Sequence, residues 1–226
     1  MIKKRLIGQF SHPRGLAGRL AGRIMATRSS NVERNRWVAE ILRPSPDARI
    51  LEIGHGPGLA IAELWTVIEP GSGTIDGVDV SSLMSRDAAR RNRTGVASGR
   101  VRFRVGDAQR LPAELSGYDL IYGVNASMFW DDQAATIADL AERLVPGGQL
   151  VLAYMPPPTS DLPAEAMAGQ LEVLFDQAGL TAVCHDTMAF DPPATATKGV
   201  AAPDSACPAP GSAAPDTTAP TSGAGE

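Results

Sequence analysis

The run Ile50-Leu51-Glu52-Ile53-Gly54-His55-Gly56-Pro57-Gly58 carries an apolar strand into a glycine-rich turn and directly on into a helix. Pro57 suits the first turn of that helix, where a missing N–H has no partner to lose. Glycines at 54, 56 and 58 remove the Cβ atoms, so a ligand can lie against the backbone, and the free N–H groups of the helix start favour an anionic or carboxylate-bearing one. Many strand-to-helix turns need glycine for positive φ alone, so the surroundings of the turn must decide. About twenty-five residues on, the next apolar run ends in Gly77-Val78-Asp79. A carboxylate there can accept both ribose hydroxyls of an adenosine. A dinucleotide would call for G-x-G-x-x-G, but Leu59 stands at the third glycine position, which weakens a nicotinamide or flavin reading.

Working outward, short apolar runs alternate with helical periods, the pattern of a parallel sheet with crossover helices. Helices are predicted over 14–27 and 30–43, the second stopped by Pro44 and Pro46. Strands are predicted over 48–53, 74–80, 100–106, 118–124, 149–154 and 180–190, with helices over 57–68, 81–94, 132–144 and 163–178 between them. Val101, Phe103 and Val105 alternate with Arg102 and Arg104, as in a strand with one polar face near a sheet edge. Residues 191–226 hold no aromatic residue and no Leu, Ile or Met, so they are read as a disordered Pro/Ala/Gly/Ser/Thr-rich tail. At most a short closing strand around Thr195–Val200 survives in it.

Composition fits a single α/β domain: 226 residues with 43% hydrophobic content can bury a sizeable core without a disulfide scaffold. Cys184 and Cys207 show neither a disulfide framework nor metal-ligand spacing, so no metal is expected and a reducing cytoplasm fits. No apolar stretch is long enough for stable membrane insertion. Net charge is −4, yet the first 43 residues carry ten Lys or Arg against two Glu, leaving the rest at about −12. That basic segment can approach an anionic partner or be a solvated helix face.

Gly106-Asp107-Ala108 follows the third strand, and Leu144-Val145-Pro146-Gly147-Gly148 precedes the fifth. Taken in order with the glycine turn and Gly77-Val78-Asp79-Val80-Ser81, these runs resemble the motifs of class I S-adenosylmethionine-dependent methyltransferases, particularly the small bacterial ubiquinone-biosynthesis-like group. The resemblance covers roughly residues 30–190. It implies a doubly wound, mostly parallel seven-stranded Rossmann-like sheet ending in an antiparallel hairpin, although Ala194-Thr195-Ala196-Thr197 is small and polar for a last strand. It implies S-adenosyl-L-methionine as cofactor and S-adenosyl-L-homocysteine as product. Gly54, Gly56 and Gly58 would admit the methionine part, Glu52 would orient its ammonium, and Asp79 would bind the ribose with Val80 beside the adenine. Asp107 would accept from the adenine amino group and the Ala108 N–H would meet a ring nitrogen. Plainer explanations stand beside these roles: a strand-end charge for Glu52, a helix cap for Asp79, a turn aspartate for Asp107.

The strand over 118–124 leads to Asn125-Ala126-Ser127-Met128-Phe129-Trp130, and strand carboxyl ends are where ligands sit in open α/β sheets. Asn125, Ser127 and Trp130 are therefore acceptor-facing candidates, Asn125 also a cofactor candidate, while Phe129 and Trp130 serve equally as core. His12 or His185 is a candidate base, though a lone histidine is more often structural. Positioning alone can lower a methyl-transfer barrier by about 7–11 kcal/mol, so a dedicated base is dispensable. The expected activity is methylation of a small-molecule substrate, oxygen slightly ahead of carbon or nitrogen. The alternatives are an RNA methyltransferase using the basic segment, against which the acidic body counts, and a non-catalytic S-adenosylmethionine-binding protein. The expected organisation is a basic helical lid over 1–45, a cofactor-binding catalytic domain over 46–190 and the tail. Leu16, Leu20 and Ile24 stripe the first helix among glycines that weaken it, as suits a movable lid. Removing residues 1–28 should abolish turnover while weakening cofactor binding only moderately, as read by single-turnover kinetics beside calorimetry.

Overall fold

The computed structural model describes residues 29–156 and 160–203. The helix expected over 14–27, His12 and the tail beyond 203 lie outside the described residues. Seven strands form one sheet: β1 (Arg49–Ile53), β2 (Thr74–Asp79), β3 (Val101–Val105), β4 (Tyr118–Val124), β5 (Leu144–Tyr154), β6 (Thr181–Met188) and β7 (Ala194–Val200). Their order is β3-β2-β1-β4-β5-β7-β6. The first five pair in parallel, and β7 runs antiparallel between β5 and β6. Helices α1 (Ser29–Leu42), α2 (Leu59–Ile68), α3 (Ser82–Arg91), α4 (Arg93–Ala97), α5 (Gln133–Glu142) and α6 (Ala164–Gln177) complete the doubly wound α/β fold. Among the described residues no helix is long and apolar enough to cross a membrane.

The two-residue period of the strands builds a core on each side of the sheet. Leu51, Ile53, Ile121, Leu150 and Leu152 face one side, with Ile137 and Leu140 of α5 and Met167, Leu171 and Phe175 of α6. Ile50, Ile75, Leu120, Tyr122 and Val151 face the other, with Ile61, Leu64 and Ile68 of α2 and Trp37, Val38 and Leu42 of α1. The last contacts correct the expected lid over 1–45: its described part, α1, is locked into the core by three buried side chains. β3 is an edge strand as its alternation predicts. Its Arg102 gives Nε and Nη2 to the buried Asp76 carboxylate at 2.8 and 2.9 Å, and the Tyr118 hydroxyl donates to the same group at 3.0 Å.

Several boundaries differ from the sequence reading by one or two residues, and three differ for a reason visible in the structure. The helix expected over 81–94 ends at Arg91, because Asn92 turns its amide onto Gly58 O and Ala88 O, both at 3.0 Å. β5 begins at Leu144 rather than 149, through a shift in its pairing with β4. The largest correction is at the end: Ala194–Val200 is a full strand, so the folded domain does not stop at residue 190. The small side chains are what this position requires. Ala194, Thr195, Ala196 and Thr197 are all buried, and Thr195 Oγ1 donates to Ala164 O of α6 at 3.1 Å. A Cβ on Gly199 would lie 2.7 Å from Phe175 Cδ2 and 3.0 Å from Leu180 Cβ.

A chain ended at Phe190 should lose cooperative urea unfolding, because β6 joins the sheet by pairing with β7. Gly199→Val should retain the fold but cost about 1–3 kcal/mol of stability through overpacking against Phe175.

Candidate active site

Backbone bonds lace the carboxyl ends of β1, β2 and β3 together and tie that of β4 to β5. Gly54 N donates to Val78 O at 2.8 Å, Gly106 N to Asp79 O at 3.0 Å, and Asn125 N to Ala153 O at 2.8 Å. The Asp79 carboxylate joins in: Oδ2 accepts from Gly56 N at 2.9 Å and Oδ1 from Ser81 N at 2.8 Å. This brings Glu52, Gly54, Gly56, Asp79, Val80, Asp107 and Ala108 to one edge of the sheet, from three successive crossover loops. Val80 is exposed beside Asp79.

The three glycines of the turn differ in what they do. Gly56 has φ +50° and, among the described residues, nothing within 4 Å of the position a Cβ would take. At Gly54, φ +73°, a Cβ would come within 3.2 Å of Ala126 Cβ. At Gly58 a Cβ would meet Asn92 Nδ2 at 2.7 Å and Ala88 Cβ at 2.9 Å. Gly58 thus admits α3 against the turn, and Gly56 leaves the space a ligand needs.

Glu52 is 3% exposed and stands in register with Tyr122 of β4. Among the described residues neither Glu52 Oε2 nor the Tyr122 hydroxyl has a hydrogen-bond partner within normal geometry. The phenol stands near the carboxyl but short of hydrogen-bonding geometry. Burial pushes the Glu52 carboxyl up to about 8, with the Tyr122 hydroxyl opposing the rise and the Asp79 charge adding to it. Burial and Glu52 together push the Tyr122 phenol well above its ordinary range. A buried acid with an unused acceptor at the base of an open glycine turn suits a cation, such as an α-ammonium group. A pyrophosphate would gain nothing from it.

On the β3 side, Asp107 Oδ1 accepts from Gln109 N at 3.0 Å and starts the short turn Ala108–Arg110. Gln109 has no motif to betray it, yet its Oε1 accepts from Asp131 N at 2.9 Å and Asp132 N at 3.2 Å, tying the β4 loop to the β3 loop. Gln133 does the same inside the loop, giving Nε2 to Ser127 O at 2.9 Å.

Of the acceptor candidates, Asn125 has φ +54° and a carboxamide spent on Met155, with Nδ2 donating to Met155 O at 3.0 Å and Oδ1 accepting from Met155 N at 2.7 Å. It clamps β4 to β5. Ser127 is buried, Trp130 packs against the core and Phe129 is exposed. His185 lies on β6, four strands from β1 and hence roughly 19 Å across the sheet. Its Nδ1 is 3.1 Å from Thr197 Oγ1 and its Nε2 3.1 Å from Glu172 Oε2. That geometry makes it a strut between β6, β7 and α6.

Comparison with known proteins shows what the chain as a whole is similar to. Residues 50–148 match a family model described as a methyltransferase domain. The uncharacterized methyltransferase YdaC of Bacillus subtilis is 31% identical over 137 residues, 61% of this chain and 71% of the relative. An O-methyltransferase of Pyrenophora dematioidea is 30% identical over 112 residues, 50% of this chain but only 41% of the relative. A crystal structure of a SAM dependent methyltransferase from Aquifex aeolicus superimposes with a TM-score of 0.61 at 13% identity, covering 76% of this chain and 97% of that one.

Because the Glu52 carboxyl is raised from 4.5 to about 8, the folded state keeps its proton after the unfolded chain has lost it. Stability from this group is complete below pH 4.5, falls as pH rises and is exhausted above about pH 8. Glu52→Gln should remove that decline. Urea unfolding at pH 5, 6.5 and 8 should show the variant gaining on the wild type by a few kcal/mol across the series.

Proposed function

Because the chain belongs to the class I S-adenosylmethionine-dependent methyltransferases, we propose that it methylates a small organic acceptor, at oxygen in preference to carbon or nitrogen. The observation that carries the cofactor end is the buried Glu52 carboxylate with its unpartnered Oε2 below the open Gly56 backbone. Glu52 receives the ammonium of S-adenosylmethionine, Gly54 and Gly56 admit its methionine part, and the N-terminal end of α2 meets its carboxylate. Each Asp79 oxygen accepts one backbone N–H and keeps a lone pair for a ribose hydroxyl. Val80 and the Ala108 N–H flank the adenine, and Asp107 accepts its amino group. The sulfonium supplies an activated methyl group, so what the protein contributes is alignment and exclusion of water.

The acceptor lies over the loop 125–130, where Ser127, Phe129 and Trp130 sit on a turn held by Gln109 and Gln133. Asn125 supports that turn from below, since its carboxamide is committed to Met155. The preference for oxygen is supported by the O-methyltransferase among the relatives. Incubation with methyl-labelled S-adenosylmethionine and a cell extract, fractionated by size, tests the reading. Label is expected in small molecules. Label in RNA would overturn it, and cofactor binding with no transfer to any fraction would favour a non-catalytic binding protein.

Asp79→Ala should weaken S-adenosylhomocysteine binding by about 1.5–3 kcal/mol, the scale of lost hydrogen bonds to a charged group. Isothermal calorimetry measures this directly, and an unchanged dissociation constant would reduce Asp79 to a purely structural carboxylate.

A further inference from the structure

His55 stands between the first two glycines of the turn, and its side chain is 3% exposed. It points inward, beneath the turn. The ring meets Phe103 edge to face with centroids 4.9 Å apart. Its Cδ2 lies 3.0 Å from where a Cβ on Gly77 would be, so Gly77 is the notch that lets the imidazole in. Nδ1 is 2.7 Å from Gly56 O. A carbonyl can only accept, so Nδ1 carries a proton and donates it. Nε2 is 3.4 Å from Ser85 Oγ in the first turn of α3. Burial pushes the imidazole down from its ordinary range, which favours a neutral ring whose Nε2 accepts. The Ser85 hydroxyl lies 3.2 Å from Ser81 O as well as 3.4 Å from Nε2, so its one proton can go to either, and Ser81 O keeps the Ser85 N–H at 3.0 Å when the hydroxyl turns to Nε2.

These contacts close a ring around one carboxylate. From Nδ1 it runs through Gly56, whose N–H holds Asp79 Oδ2 at 2.9 Å, and from Nε2 through Ser85 to Ser81, whose N–H holds Asp79 Oδ1 at 2.8 Å. We propose that His55 is a positioning residue for the cofactor site: it braces, one with each ring nitrogen, the two backbone donors that aim Asp79 at the ribose. The proposal rests on the reading of Asp79 as the ribose ligand. His55 touches no substrate and acts through Gly56 and Ser81. A residue that served only as core packing would need neither ring nitrogen on these two partners.

The test is a double-mutant cycle read as dissociation constants for S-adenosylhomocysteine, with melting temperatures beside it. His55→Phe keeps the ring against Gly77 and Phe103 but loses both polar links, and should weaken binding about tenfold with the melting temperature nearly kept. His55→Asn can restore a donor to Gly56 O and should recover part of that loss. In an Asp79→Ala background His55→Phe should cost less than about threefold more, because the group it positions is gone. Ser85→Ala, which leaves the imidazole in place, gives a second route should His55→Phe fail to fold, and should weaken binding about threefold only when Asp79 is present. Full additivity of His55→Phe, or of Ser85→Ala, with Asp79→Ala would overturn the proposal. So would unchanged affinity in both single variants. Wild-type protein that fails to bind S-adenosylhomocysteine would overturn the cofactor reading itself, an outcome distinct from additivity.

Discussion

The Asp79 carboxylate accepts from Gly56 N at 2.9 Å and from Ser81 N at 2.8 Å, so one charge at the end of β2 fixes both the glycine turn after β1 and the start of α3. Parallel strands buried on both faces leave their carboxyl ends as the place where backbone donors reach solvent. There the chain can satisfy those donors itself or offer them to a ligand. It does the first at Gly54, Gly56, Ser81 and Gly106, and keeps free the Gly56 surface, the second lone pair of each Asp79 oxygen and Glu52 Oε2. Preorganisation of this kind means that a ligand need not order the loops it binds.

The parts of the fold legible in the sequence are those written in local terms. Strand, glycine turn and helix over 48–68 announce themselves by period and by Gly54, Gly56 and Pro57, and β4 lies over 118–124 as its apolar run predicts. β7 was legible only as a short closing strand around 195–200, because its residues answer to a neighbour. Gly199 is small since Phe175 of α6 presses on it, Ala196 is buried on the opposite face in the cluster that holds α1, and in one dimension small residues beside proline look like a tail. α1 misled in the opposite way. Its arginines suggest a separate basic element, whereas Trp37, Val38 and Leu42 anchor it to the sheet. The charged face and the buried face are the two sides of one amphipathic helix.

The site was legible where a residue type has one job and obscure where it has two. Asp79 and Glu52 stand where the motif order puts them. Gly58 belongs to the same motif, yet its missing Cβ is explained by Ala88 and Asn92 of α3. Asn125 sits at the expected strand end, but both ends of its carboxamide are taken by Met155. Gln109 and Gln133 shape the loop after β4 through its backbone, and no spacing rule marks a glutamine whose partners are main-chain atoms more than twenty residues away in one case and six in the other.

On the proposed reading, the state of Glu52 explains how a buried acid can serve a cation that comes and goes. A buried carboxylate left without a counter-charge costs several kcal/mol, so the free protein holds the group protonated, with its carboxyl at about 8. At pH 7 the cost of ionising it is then about one pH unit, or roughly 1.4 kcal/mol. On the proposed reading the arriving ammonium repays this: two opposite charges about 4 Å apart at an effective dielectric of 20 attract by about 4 kcal/mol. The balance favours losing the proton when a cation binds and keeping it otherwise. An anion at the same place meets no such gain, and the pull of the α2 N-terminus, about 0.3–1 kcal/mol at an exposed site, is too small to substitute for it. The same glycine turn that elsewhere takes a phosphate is thereby biased toward a zwitterion, with its carboxylate toward the helix and its ammonium toward the buried acid.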